Sequence, residues 1–157
     1  MKLWDKGYSI DKWIEEFTVG NDRDLDLKLA IHDVRGSIAH IAMLETIGLL
    51  TADEHAILTA ELHRIEEEIE AGNFTIEPGV EDVHSQVETL LTQRLGDVGK
   101  KIHSGRSRND QVLVDLKLFY RAEIKRIAEN VSALFDQLLS LSEQHRHVLM
   151  PGYTHLQ

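Results

Sequence analysis

Apolar residues recur at spacings of three and four along most of this chain, the period of a helix that buries one side. From Asp22 the stripe runs through Leu27, Ile31, Val34, Ile38 and Ile41, which predicts one helix ending near Gly48. Thr51 followed by Glu54 has the form of a capping box and opens a second helix. Its stripe is Leu58, Leu62, Ile65 and Ile69, and Gly72 closes it. After a loop from Asn73 to Gly79, a third helix is expected from about Glu81 to Leu95, with Val83, Val87, Leu90 and Leu91 on one face. Gly96, Gly99 and Gly105 then punctuate a loop. Ahead of all this, residues 1–20 carry Trp4, Tyr8, Trp13, Ile14 and Phe17 among mixed charges, an irregular arm with one short helix.

The last element is the longest. Leu113, Leu116, Tyr120, Ile124, Ile127, Val131, Leu134, Leu138 and Leu141 keep the helical spacing, and neither Gly nor Pro occurs between Arg106 and Met150. That predicts one helix of roughly 40 residues, or ~60 Å at ~1.5 Å per residue. A domain of ~100 residues has a radius of gyration near ~13 Å, so such a helix is expected to project and to need partner helices along its seam. A mixed bundle suits Tyr120 and the residue mix better than a two-stranded coiled coil. The expected architecture is all-α: an N-terminal helical domain over 1–105, then the first long helix of a bundle domain over 106–157.

Composition narrows the function classes. The chain has 157 residues, 42% of them hydrophobic, only two prolines and a formal net charge of -10. Nucleic acid and anionic membrane surfaces are therefore excluded as partners of the chain as a whole. Between Asp97 and Asp110, however, Lys100, Lys101, Arg106 and Arg108 outnumber the two acids. A cationic island in an acidic protein suits a small anionic molecule, although a solvated basic loop is the ordinary explanation of such a cluster alone. There is no cysteine, no apolar run of membrane length and no signal-peptide core, so a cytoplasmic location is the expectation.

Two strings carry the candidate chemistry. Ser104-Gly105-Arg106-Ser107-Arg108-Asn109-Asp110-Gln111-Val112 gathers guanidinium, hydroxyl and amide groups ahead of a helix. A helix N-terminus offers unpaired N–H groups, and arginine adds a fork matched to carboxylates. Ser107, Asn109 and Asp110 are equally ordinary capping residues, and both readings stand. Pro151-Gly152-Tyr153-Thr154-His155-Leu156-Gln157 places a Thr-His pair after a turn, and a histidine side chain can move a proton in either direction. Asp82 is a plausible cap for the third helix, and His84 and Glu88 stand one turn apart on it. Asp33, Ser37 and His40 form a polar stripe read as structural. No pattern of metal-ligand spacing occurs, so no metal site is expected.

These strings, with Lys101-Ile102-His103 before the first, resemble the argininosuccinate lyase family of the fumarase/aspartase superfamily. Asp33-Val34-Arg35-Gly36-Ser37-Ile38-Ala39-His40, Gly48-Leu49-Leu50-Thr51 and Glu81-Asp82-Val83-His84 agree with it as well. The resemblance covers nearly all of the chain from about Asp22. It implies a cytosolic homotetramer of arginine biosynthesis or the urea cycle, with active sites shared between subunits and no metal or organic cofactor. The implied reaction is reversible β-elimination of argininosuccinate, a small anionic substrate, to arginine and fumarate. By the same resemblance Arg108 and Asn109 bind substrate carboxylates with Ser107 in the cradle, and Thr154 hydrogen-bonds substrate. His155 assists proton transfer, and Asp82 and His84 line the pocket.

Two departures qualify the match. The family's N-terminal serine has no counterpart in Phe17-Thr18-Val19-Gly20-Asn21-Asp22, where Thr18 or Asn21 could substitute. The family's Ser-Ser-x-Met-Pro-x-Lys-x-Asn loop, source of the catalytic serine base, is absent from these residues. The expectation is an N-terminal third of the enzyme, inactive alone. The alternatives are a related fumarate-releasing lyase and a helical self-association module.

Overall fold

A computed structural model describes residues 12–155, and every regular element among them is helical, as expected. Trp4 and Tyr8 of the arm, and Leu156 and Gln157 of the second string, lie outside the described residues. The helices are α1 (Lys12–Val19), α2 (Asp22–Asp26), α3 (Ala30–Thr46), α4 (Ala52–Glu70), α5 (Val83–Leu95), α6 (Asp97–Lys100) and α7 (Arg108–His145), with a 3-10 turn over Lys101–His103. Contacts divide the chain into two compact units, one up to Phe119 and one from Tyr120 onward. No helix among the described residues is long and apolar enough to cross a membrane.

The single helix expected from Asp22 is split in two. Tertiary hydrogen bonds hold α2 to the approach of α5: Arg23 Nε donates to the Val80 carbonyl at 3.0 Å, and Asp26 Oδ2 accepts from Val83 N at 3.1 Å. The buried face shifts accordingly. Ala30, Val34, Ser37, Ile41 and Leu44 point inward, whereas Leu27 is exposed and Ile31 and Ile38 are only partly covered. Periodicity located the helix but misplaced its inner face by about one residue.

The second helix follows its sequence signals closely. Thr51 Oγ1 accepts from Glu54 N at 3.2 Å and Thr51 N donates to Glu54 Oε2 at 3.1 Å, so the capping box is closed in both directions. Leu58, Leu62 and Ile65 are fully buried against Ile41, Leu44, Val83, Val87, Leu91 and Ile102. Each such side chain stabilises the fold by roughly 1.5–3 kcal/mol relative to exposure. Gly72 takes the left-handed backbone (φ 72°) that ends α4 without a Cβ penalty.

The segment after α5, expected as a loop, contains α6 and the 3-10 turn instead. Gly99 makes this compact path possible, because a Cβ there would lie 2.3 Å from the Leu91 carbonyl oxygen. Ile102 is thereby delivered into the core. The long helix is realised as α7, 38 residues against roughly 40 expected. Its residues up to Phe119 belong to the first unit, where Gln111 and Asp115 are buried and Phe119 meets the His32 ring edge-on at 5.9 Å. The second unit continues α7 to His145 with Ile124, Ile127, Val131, Leu134 and Leu138 all 57–66% exposed.

Candidate functional site

The site is built where α5 and α7 begin. Asp82 caps α5, its Oδ1 accepting from Ser85 N at 2.7 Å. Ser107 caps α7: its Oγ accepts from Asp110 N at 3.3 Å and donates to Asp110 Oδ2 at 2.8 Å, while Ser107 N donates to the same carboxylate oxygen at 2.8 Å. Those backbone and hydroxyl bonds to Ser107 hold the Asp110 carboxyl below its usual range. The capping reading of Ser107 and Asp110 is therefore realised, and the Ser107 hydroxyl proton is committed to it.

The two arginines flanking Ser107 turn inward. Arg106 Nη2 donates to Ser37 Oγ at 3.1 Å, and Arg108 Nη2 donates to Ser85 Oγ at 3.2 Å with Nη1 3.8 Å from Asp82 Oδ1. Arg106 Nε and Arg108 Nη1 are buried without a hydrogen-bond partner. Burial pulls the Arg106 guanidinium below its ordinary value, with the nearby Asp33 and Asp115 charges opposing that pull. The lysines of the basic island behave differently, since Lys100 pairs with Asp97 and Lys101 with Glu54. Of the four basic residues, the arginines alone serve the interior.

Behind the arginines lies a buried polar hub that joins the candidate His84 to Asp33 of the polar stripe and to Asp115. His84, 3% exposed, places Nδ1 2.8 Å from Asp33 Oδ1 and 3.4 Å from Asp115 Oδ2. Gln111 Nε2 also donates to Asp33 Oδ1. Burial opposes the imidazolium of His84, but its bond to Asp33 and the charges of Asp33, Asp115 and Asp82 outweigh that and raise its pKa. Asp115 is pushed up to about 7, chiefly by burial and then by the charge of Asp33. His84, Glu88, His103, Arg106 and Gln111 line a narrow recess beside this hub, floored by Val87 and Ile102.

His40, read as part of a structural stripe, sits at the edge of the same region. Its Nε2 is 2.8 Å from the Ser104 carbonyl and so donates to it. Burial lowers its pKa, a trend that the Ser104 bond opposes and Arg106 reinforces. Asp33 and Ser37 of that stripe are fully buried, which makes them structural in the hydrogen-bonded sense.

The first unit thus brings together Asp82, His84 and Arg108 of the sequence-derived candidates, around Ser85 and the Asp33–Asp115 pair. Asn109 is exposed on the first turn of α7, and Ser107 is exposed at its cap. Thr154 and His155 belong to the second unit, both exposed, with His155 in left-handed backbone at φ 52°. That conformation is uncommon for a non-glycine residue. Thr18 spends its hydroxyl on the Ile14 carbonyl at 2.8 Å, and Asn21 lies exposed at the start of α2.

Asp115 and Gln111 are the members that sequence reasoning gives no role, while Asp33 enters it only in the structural stripe and Arg106 only in the cationic string. A signal existed: Gln111 and Asp115 are polar residues four apart on the inner side of an apolar helix, a placement that burial rarely tolerates without partners. The donors of Asp33, His84 and Asp115 all lie within 4.8 Å of one another, a spacing that a cation could bridge. Asp33 Oδ1 is met by His84 and Gln111, and the Arg106 charge acts on both carboxylates, while Asp33 Oδ2 and Asp115 Oδ2 are buried without a hydrogen-bond partner.

The fold and this arrangement define an all-helical protein with a recess lined by histidine, arginine and glutamate between α5, the 3-10 turn and α7. The chain belongs to the lyase family, whose profile matches residues 7–157. It is 65% identical to the argininosuccinate lyase of Phocaeicola vulgatus over 99% of this chain and 35% of that protein. It is 48% identical to the argininosuccinate lyase of Methylococcus capsulatus over 99% of this chain and 34% of that protein. With the argininosuccinate lyase of Thermotoga neapolitana the identity is 42%, over 98% of this chain and 39% of that protein. The chain spans about a third of the length of the curated relatives it matches.

Proposed function

We propose that this chain contributes part of an argininosuccinate lyase active site, for the reversible β-elimination of argininosuccinate to arginine and fumarate. The observation that supports it most is the pair of inward arginines: Arg106 Nε and Arg108 Nη1 make no hydrogen bond, and Arg106 lines the recess with His84. The succinyl half of the substrate is a dicarboxylate, and guanidinium forks match carboxylates in geometry and charge.

In the reaction a base takes a proton from the carbon beside one succinyl carboxylate, and the electron pair delocalises into that carboxylate. The carbon–nitrogen bond then breaks, its electrons leaving on the guanidino nitrogen of arginine, which gains a proton. Preorganised donors must stabilise the doubly charged carboxylate between these steps. Arg108 and Asn109 bind substrate carboxylates in this reading, and Ser107 fixes the turn that presents them. Asp82 and His84 line the pocket. Thr154 hydrogen-bonds the substrate and His155 assists proton transfer. The base is assigned to the part of the relatives that this chain does not span, and no metal or organic cofactor takes part. The intact enzyme is read as a cytosolic homotetramer, with a bundle domain starting at about residue 106.

Fumarate absorbance after adding argininosuccinate tests this, for the chain alone and mixed with the remainder of the Phocaeicola vulgatus relative. Release only on mixing, lost again with Arg108→Ala, is the expected result. No release with both pieces folded overturns the reading, and release by the chain alone overturns the assignment of the base. A preference of the mixture for malate, aspartate or adenylosuccinate would favour a related lyase instead.

The exposed seam of the second unit favours a second role, helical self-association. Ile127→Asp with Leu134→Asp should reduce the size of any oligomer in solution. An unchanged oligomer would clear the seam of that role.

A further inference from the structure

His84 is a buried histidine whose two ring nitrogens have unequal surroundings. Nδ1 faces Asp33 Oδ1 at 2.8 Å and Asp115 Oδ2 at 3.4 Å. A carboxylate only accepts, so Nδ1 carries a hydrogen whenever Asp33 is ionised. Nε2 makes none of the hub's hydrogen bonds, and His84 is one of the residues that line the recess. Asp33 in turn is pinned from another side by Gln111 Nε2, so α3, α5 and α7 converge on one carboxylate oxygen.

We propose that Asp33 and Asp115 are positioning residues that hold His84 as an imidazolium, presenting Nε2–H as a cationic donor to an anionic group in the recess. A histidine with a neutral Nδ1 neighbour would offer Nε2 as a lone pair at neutral pH and repel a carboxylate. The paired acids reverse that polarity. Asp115 supplies the adjustable part, because its protonated form can donate to Asp33 and withdraw one negative charge from the hub.

The other acids near His84 act in the same direction as Asp33 and Asp115. Asp26 reaches it electrostatically from α2, and Asp82 does so from the cap of α5. Arg106, ahead of α7, acts on Asp33 and Asp115 and itself feels Glu88. His103 shares the recess. Acids therefore surround the ring from α2, α3, α5 and α7, with the Arg106 guanidinium as the opposing charge and the His103 ring nearby. The desolvation of a residue 3% exposed is offset by this acidic surround, and the raised pKa of His84 accords with it.

The inference deepens the lyase reading by naming what fixes His84, yet the proton itself is observable without turnover. The decisive experiment is a nitrogen-15 NMR titration of the histidine side chains in the 157-residue chain, with His84 assigned by His84→Gln. The expected result has both His84 ring nitrogens protonated above the ordinary histidine value. Above its midpoint the neutral ring should keep its hydrogen on Nδ1. Asp115→Asn should lower the midpoint, and Asp33→Asn should lower it further and release the tautomer.

A neutral ring protonated on Nε2, or a midpoint at or below the ordinary value, overturns the proposal in the unmodified chain. Should Asp33→Asn fail to fold, Asp115→Asn and the tautomer of the unmodified chain still decide it. An unmoved midpoint in folded Asp115→Asn removes Asp115 from the pair. Success here with no fumarate release in the mixing experiment would leave the hub standing and sink the lyase reading alone.

Discussion

The two units of this chain use the same helical period to opposite ends. In the first, Leu58, Leu62, Ile65, Val83, Val87 and Leu91 meet one another and are 0–1% exposed. In the second, Ile124, Ile127, Val131 and Leu134 repeat at the same spacings and are 58–66% exposed. A three-four pattern therefore specifies that a helix has an apolar side, not what covers it. Cover depends on connections: α3, α4 and α5 return on one another through the segments 47–51 and 71–82, and among its described residues the second unit contains only the remainder of α7.

That comparison predicts a hierarchy of effects. Leu62→Ala should cost the first unit about 2–5 kcal/mol in urea unfolding, because it leaves a cavity in a closed core. Leu134→Ala should move the same transition by less than about 0.5 kcal/mol. Equal losses would mean that the seam is covered in solution and would break the contrast. Gly99→Ala comes next, at about 1–3 kcal/mol, since its Cβ would meet backbone at the end of α5 rather than a flexible side chain. A neutral outcome would show that the α5–α6 junction yields more easily than its packing suggests.

The polar hub gives a third test. Folded Asp115 keeps a proton up to about pH 7, whereas an unfolded aspartate releases it near ~3.9. The folded state thus binds more protons across that window, and stability should fall as pH rises from about 4 to about 7. His84 acts in the same direction: its raised value contributes stability that is present below its ordinary pKa and lost as pH rises through the folded one. Asp115→Asn should flatten the slope of the urea midpoint between pH 4 and 7. An unaltered slope would place the proton elsewhere.

The smallest effect concerns the cap of α4. Thr51→Ala removes the hydroxyl that accepts from Glu54 N and should cost ~1 kcal/mol by thermal or urea unfolding. A loss near zero would show that α4 is held by its buried stripe alone.

Much of the fold was legible because its signals are local. The capping box at Thr51, the stop at Gly72, the Asp82 cap and the unbroken period of α7 each involve residues a turn or so apart. The break between α2 and α3 was not legible, because it is enforced by Arg23 and Asp26 bonding to Val80 and Val83, 57 positions away. The compact path through Gly99 was hidden for the same reason, being a contact with the Leu91 carbonyl.

The candidate site divides along the same line. The sequence by itself determined the cationic string ahead of α7, the capping-competent residues Asp82 and Ser107, and the residue types suited to a dicarboxylate. Only the tertiary structure decided that Arg106 and Arg108 turn inward while Lys100 and Lys101 pair with neighbouring acids. It also decided that Asp33, His84 and Asp115, far apart in the chain, share one buried hub. The physical reason is that a helix period reports which side of one element is apolar. The state of a buried charge depends on which charges other elements bring within a few ångströms of it.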